Sequence, residues 1–263
     1  MAYETIEIDV SRSGVAVVML NRPDRRNALN AQVIEELADC FETLSKNPEA
    51  RVLILRGAGK VFSAGADIEW MKAGADFTVH ENEEDAHAMA EMLRKLYELP
   101  QLTIAMLHGA AMAGAAGLAA ASDVVVALEG TKFCFSEVKL GIIPATISPY
   151  VIQAIGPRWA RALFATAETF DAKFAHQIGL AHYVAADENE FEALVEHVTR
   201  LAFQGSPAAI ADAKDLVADV TGEVIDASLS RRTAKRLAHR RATDQGKEGL
   251  AAFLEKRKPH WAE

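Results

Sequence analysis

The stretch His108-Gly-Ala-Ala-Met-Ala-Gly-Ala-Ala-Gly-Leu-Ala-Ala-Ala-Ser-Asp123 decides how this chain is read. It lies between two apolar segments, Leu102–Leu107 and Val124–Leu128, each the length of a buried strand. Gly109, Gly114, Gly117 and the alanines around them carry no acid–base group. Such a run offers backbone instead: N–H groups open to close approach and the N-terminal end of a short, tight helix. It is a candidate oxyanion site, and the side-chain chemistry must come from elsewhere.

Upstream, alternation predicts strands over Thr5–Val10 and Val15–Leu20, joined as a hairpin through Ser-Arg-Ser-Gly. Asn30 reads as the N-cap of a helix over 31–45, with Val33, Ile34, Leu37, Phe41 and Leu44 at helical spacing. Val52–Leu55 reads as a short buried strand. The segment 71–82 is polar and without periodicity, so a mobile loop is expected there, followed by a helix from Glu83 to Leu99 that stops before Pro100. Downstream come a strand over Lys132–Phe135, a helix over 157–165, a short strand near Tyr183, and helices over 190–203, 207–219, 223–241 and 247–257. The chain is thus α/β to about residue 190 and helical after it. No solenoid-type repeat is visible, although a β-β-α coil can repeat structurally without one.

The totals bound the function. With 263 residues, half hydrophobic and a quarter charged, the chain is an ordinary globular protein. Its net charge of −9 argues against DNA as a partner, and no run is long enough for a membrane span. The N-terminus is acidic and strand-like, unlike a secretory or transit leader, and the two cysteines, Cys40 and Cys134, fit neither a zinc site nor a disulfide scaffold. A cytoplasmic location is expected, with no metal and no redox cofactor.

Two further stretches carry chemistry. In Gly59-Lys-Val-Phe-Ser-Ala-Gly-Ala-Asp67, a glycine-punctuated loop follows a strand and can present the N–H of Ala64, Gly65 or Ala66 to an oxygen. Its glycine spacing matches neither a Walker A loop nor a dinucleotide fingerprint. If it converges with the Gly114 turn, two N–H groups would stabilise a developing oxyanion by roughly 3–4 kcal/mol per donor. In Phe133-Cys-Phe-Ser-Glu137, a carboxylate follows a strand and precedes an apolar Gly- and Pro-containing turn. Desolvation there would raise its pKa toward a value useful for proton transfer. The plainer alternative is a loop carboxylate paired with Lys139.

Together with Leu20-Asn-Arg-Pro-Asp-Arg-Arg-Asn-Ala-Leu-Asn30, Phe62–Ile68, Gly109–Asp123, Phe135–Pro144 and Lys247–Arg257, these stretches resemble the enoyl-CoA hydratase/isomerase (crotonase) family from end to end. The resemblance implies a β-β-α spiral core over 1–190, completed by a helical region over 191–263 that serves trimerisation, as a homo-trimer or dimer of trimers. It implies an acyl-CoA substrate, with coenzyme A as carrier, whose thioester oxygen is held by the N–H groups of Ala66 and Gly114. Lys60 would lie near the CoA phosphates, and Ala64, Asp67 and Ile68 near adenine. Arg25, Arg26 and Ala28 would line the pantetheine, and Phe253 and Lys256 would reach a neighbouring subunit's CoA. Glu69 stands at a position often basic in the family.

The family's hydratases use two glutamates. One maps onto Glu137; the other maps onto Gly117, which cannot act. Three readings remain. The first is hydration run by Glu137 alone, favoured because Ser136–Tyr150 is similar to bacterial methylglutaconyl-CoA and isohexenylglutaconyl-CoA hydratases, whose substrates are branched and carry a distal carboxylate; the bare Gly117 would leave room for a branch. The second is Δ3-Δ2-enoyl-CoA isomerisation, for which one carboxylate suffices. The third is a non-catalytic CoA- or RNA-binding protein, disfavoured by the negative charge. Glu83, Glu84, Tyr150 and the arginines of 231–240 are lesser candidates for the acyl site.

Overall fold

The computed structural model describes residues 3–262. Strands β1 (Ile6–Val10) and β2 (Val15–Leu20) form an antiparallel hairpin. Strands β3 (Val52–Gly57), β4 (Leu102–Leu107), β6 (Val124–Leu128) and β9 (Tyr183–Ala185) then add in parallel, giving the order β1-β2-β3-β4-β6-β9. Parallel strands covered on both faces explain the near-continuous apolar runs. Leu53, Leu55, Ala105 and Leu107 point into the main core, with Leu37 and Phe41 of α1 (Ala31–Ser45) and Met92, Leu93 and Leu96 of α3 (Val79–Tyr97). Val52, Ile54, Ile104 and Met106 point the other way, under Phe191, Val195 and Val198 of α7 (Glu188–Gln204).

A second sheet contains β5 (Ala110–Met112), β7 (Lys132–Cys134) and β8 (Phe170–Asp171). Its presence turns the chain into a coil. Each turn runs from a strand of the large sheet, through an extended segment beside the small one, into a helical turn. The first reaches α2 (Ile68–Gly74), the second α4 (Gly114–Ala121), and the third a short 3-10 turn over Glu137–Leu140. Ser63 bridges to Ala111, and Ala111 pairs with Phe133, so the three turns are in register.

The structure corrects several boundaries. No loop fills 71–82: α2 covers its start, and α3 begins at Val79 because Thr78 and Glu81 form a reciprocal capping box. The helix expected over 157–165 belongs to α5 (Ser148–Thr166), whose two halves meet at Gly156, where φ is +73°. Its first half starts at a Ser-Pro pair, a favourable opening that periodicity alone does not register. Helix α6 (Ala172–Gln177) is too short to show a period in the sequence; the Asp171 carboxylate caps it, accepting from Phe174 N at 2.9 Å. After α8 (Pro207–Val220), α9 (Ala227–Ala242) starts later than 223, where Asp226 caps it, and α10 (Asp244–Glu255) earlier than 247, where Thr243 does. Arg232, Arg236 and Arg240 are ion-paired to Glu223, Asp219 and Asp212, so they bind α9 to α8 and the turn after it. Among the described residues no helix is long and apolar enough to cross a membrane.

Candidate functional site

The loop 63–67 runs alongside β5, and its backbone bonds sort its N–H groups. Ala64 N donates to Arg26 O at 2.9 Å, Gly65 N to Ser63 Oγ at 3.2 Å, and Asp67 N to Leu29 O at 2.8 Å. Among the described residues only Ala66 N in this run has no acceptor. Gly65 sits at φ +92°, and a Cβ there would stand 3.0 Å from Met112 O, so glycine permits both the turn and the close approach to β5.

The second donor is built by strain. Ala113, with φ +48° and ψ −118°, precedes α4 as its N-cap, a conformation costing on the order of 1–3 kcal/mol for a residue with a Cβ. Its ψ sets the plane of the following peptide and hence the direction of Gly114 N–H. Gly114 opens the helix, and its N–H also has no acceptor among the described residues. Counting three residues on from the aligned set Ser63, Ala111 and Phe133 gives Ala66, Gly114 and Ser136. The two donors therefore occupy equivalent places on neighbouring turns, and Glu137 follows at the same level on the third.

Glu137 is buried, with 9% of its surface exposed. Its Oε2 has no hydrogen-bond partner, and burial pushes its pKa above the ordinary carboxylate value, opposed only by its own backbone N–H. Among the described residues it makes no ion pair, so the alternative partner Lys139, which is exposed, does not neutralise it. A buried carboxylate without an ion-pair partner, on the turn in register with two that carry unpaired N–H groups, is suited to move a proton while an oxyanion is held.

Around this centre the loops carrying Arg25, Arg26, Ala28, Lys60, Ala64, Asp67 and Ile68 form one surface. Asn27 ties them together: 1% exposed and at φ +52°, it accepts from Arg22 N and donates to Ala58 O and Val61 O at 2.7 and 2.9 Å. Arg22 bridges to Asp67 at 2.9 Å and donates to Ala28 O, so the Asp67 carboxylate is engaged within the chain; it also caps α2. Arg25, Arg26 and Lys60 are exposed, as is Ile68. A crevice of about 380 Å³ between Arg22, Arg25, Asn30, Asp67, Glu69 and Trp70 opens on this surface. Glu69 pairs with Lys72 at 3.0 Å. Phe253 and Lys256 stand apart, at the end of α10, which packs on α9.

The sequence shows Arg22 only as one of a basic cluster with Arg25 and Arg26 and gives no separate role to Asn27 or Ser63; the available signals are an asparagine within the 20–30 motif and a serine between Gly59 and Gly65. Replacing Asn27 by alanine strands two carbonyls and an N–H and leaves alanine in the left-handed region, costing about 2–4 kcal/mol. Urea unfolding should show that as a lower midpoint with an unchanged slope. Glu83 and Glu84 lie exposed on α3, Glu84 facing His80. Tyr150 meets the Tyr97 ring at a tilt, with centroids 5.4 Å apart, and lines a separate cavity of about 740 Å³ with Asp123 and Lys214. His108 donates through Nε2 to Gly59 O at 3.0 Å, a structural bond. Among the described residues no cluster of His, Cys, Asp and Glu is placed to hold a metal ion.

Gly117 is not bare space. A Cβ there would lie 2.2 Å from Cγ2 and 2.9 Å from Cβ of Ile147, itself 1% exposed. The room expected for a substrate branch is filled by this side chain.

The fold is an α/β coil with a crotonase-type β-β-α core and a helical C-terminal region, and it carries two unpaired backbone N–H groups and the buried Glu137 carboxylate, which has no ion-pair partner among the described residues. The chain belongs to the enoyl-CoA hydratase/isomerase family, whose sequence pattern matches residues 11–263. A solved enoyl-CoA hydratase from Shewanella pealeana is 38% identical, with TM-score 0.95, over 98% of this chain and 96% of that one. An enoyl-CoA hydratase/isomerase from Marinobacter aquaeolei is 33% identical, with TM-score 0.92, over 98% and 99%. The mitochondrial enoyl-CoA hydratase domain-containing protein 3 of Danio rerio is 31% identical over 98% of this chain and 88% of its own length.

Proposed function

We propose that this protein hydrates the α,β-double bond of a branched or carboxylated enoyl-CoA of the methylglutaconyl type, with Glu137 as its single acid–base side chain. The observation that carries this reading is the buried, unpartnered Oε2 of Glu137 on the turn of the coil in register with those that carry the unpaired N–H groups of Ala66 and Gly114. The carboxylate takes a proton from water as the water oxygen bonds the β-carbon and the double-bond electrons move onto the thioester oxygen. The two N–H groups hold that oxyanion. Protonated Glu137 then returns the same proton to the α-carbon as the enolate electrons collapse. Water is added, the carboxylate is restored, and both new bonds form on one face.

In this reading Lys60 meets the CoA phosphates, Ala64, Asp67 and Ile68 lie along adenine, and Arg25, Arg26 and Ala28 follow the pantetheine. Asp67 contributes through its backbone, since Arg22 holds its carboxylate. The chain divides into a catalytic core to residue 190 and a helical region from 191 that assembles trimers or pairs of trimers. Phe253, 81% exposed, and Lys256 would then complete a neighbour's CoA site.

The single carboxylate also suits Δ3-Δ2-enoyl-CoA isomerisation, a proton shuttle between two carbons. Crotonyl-, 3-hexenoyl- and 3-methylglutaconyl-CoA separate the two: hydration removes the conjugated enoyl absorbance and isomerisation of the 3-enoyl thioester creates it. Faster turnover of 3-methylglutaconyl-CoA, by at least about tenfold over the others, is expected; a preference for 3-hexenoyl-CoA would replace hydration with isomerisation.

A further inference from the structure

Residues 114 and 117 lie on one face of α4, and a helical side chain tilts toward the N-terminus of its helix. A side chain at 117 would therefore point back over Gly114, toward the oxyanion donors. The volume it needs is taken by Ile147, whose Cγ2 lies 2.2 Å from that Cβ position. Ile147 immediately precedes α5, which packs against both α4 and the short turn holding Glu137. The loop from Glu137 to Ile147 thus starts with the carboxylate and ends with an apolar plug.

We infer that Ile147 is a specificity-determining residue: it excludes any second functional side chain from position 117 and leaves the wall of the acyl site there apolar. Glu137 then has to make both proton transfers, because no polar group can enter from α4. This rests on the role proposed for Glu137, but its steric core does not depend on which acyl-CoA is turned over.

Two cycles test it. In the milder one, Gly117→Ala, Ile147→Ala and the pair are compared by melting temperature. Gly117→Ala alone should destabilise, because even a methyl collides, and Ile147→Ala should relieve that collision, so the double variant melts higher than the sum of the single shifts predicts. Additive shifts overturn the inference. In the second cycle, Gly117→Glu alone should fold poorly, whereas Gly117→Glu with Ile147→Gly should fold and hydrate crotonyl-CoA at least about tenfold faster than Ile147→Gly alone. A folded double variant with no such gain means that position 117 does not open on the reacting carbons, and the inference fails. Should the double variant not fold, the alanine cycle decides. Glu137→Gln run alongside keeps the two ideas apart: full turnover without Glu137 removes the catalytic reading while leaving a coupled cycle intact, and an additive cycle removes Ile147 while leaving Glu137 in place.

Discussion

Glu137→Gln should lose about two to four orders of magnitude in turnover while melting no lower than the parent. The variant keeps the shape of the side chain and removes its capacity to take and return a proton. Loss with retained fold separates catalysis from packing. The melting behaviour follows from the burial of Glu137: an unpaired carboxylate at 9% exposure is a cost to the folded state that a neutral amide does not carry in full. Turnover within about threefold of the parent, in a folded variant, would sink the assignment.

The same group fixes a pH dependence. Burial raises the pKa of Glu137 in the folded state above its ordinary value. The unfolded chain therefore ionises first as pH rises, and stability falls between the ordinary carboxylate value and the raised folded value, then levels off. Glu137→Gln should abolish that decline, so the stability difference between variant and parent grows with pH across this window and is constant below it. Activity runs the opposite way: the base form is required, so turnover falls as pH drops through the raised value. One ionisation thus weakens the fold and enables the chemistry.

Much of this was legible in the residues. The hairpin, α1 with its Asn30 cap, and the apolar strands are local patterns whose periods survive in the fold. The alternation that would reveal β5 is absent from Ala110–Met112, because its alanines and methionine carry neither a polar face nor β-branched residues, and only pairing with β7 makes it a strand. Of the three N–H groups that the loop 64–66 can offer, the glycine pattern does not choose; only the family resemblance points to Ala66. The choice depends on acceptors far along the chain, Arg26 O and the Ser63 hydroxyl. Gly117 was readable as a missing side chain but not as filled space, since Ile147 reaches it from thirty residues away, through the path of the coil. Registers between turns carry the site, and a register is a property of pairing rather than of any one segment.

That dependence makes Ala66→Pro the sharper probe of the oxyanion site. Proline removes the N–H without breaking a bond of the bridge between Leu29 and Ala66, which uses Leu29 N to Gly65 O and Asp67 N to Leu29 O, not Ala66 N; an unchanged melting temperature shows that the loop tolerates the ring. The ladder that holds the loop keeps its bonds. If Ala66 N–H meets the thioester oxygen as it gains charge, its loss should lower kcat by about 10²–10³, with KM changed far less, because the bond strengthens only as the enolate forms. Ala66→Ser, which keeps the N–H, should stay near the parent rate. A proline variant that binds and turns over like the parent would leave Gly114 as sole donor, and the strained Ala113 that aims it would then carry the whole electrostatic task. A fall in KM-dependent binding alone would instead mean that Ala66 N–H holds the ground-state carbonyl, adding affinity without lowering the barrier.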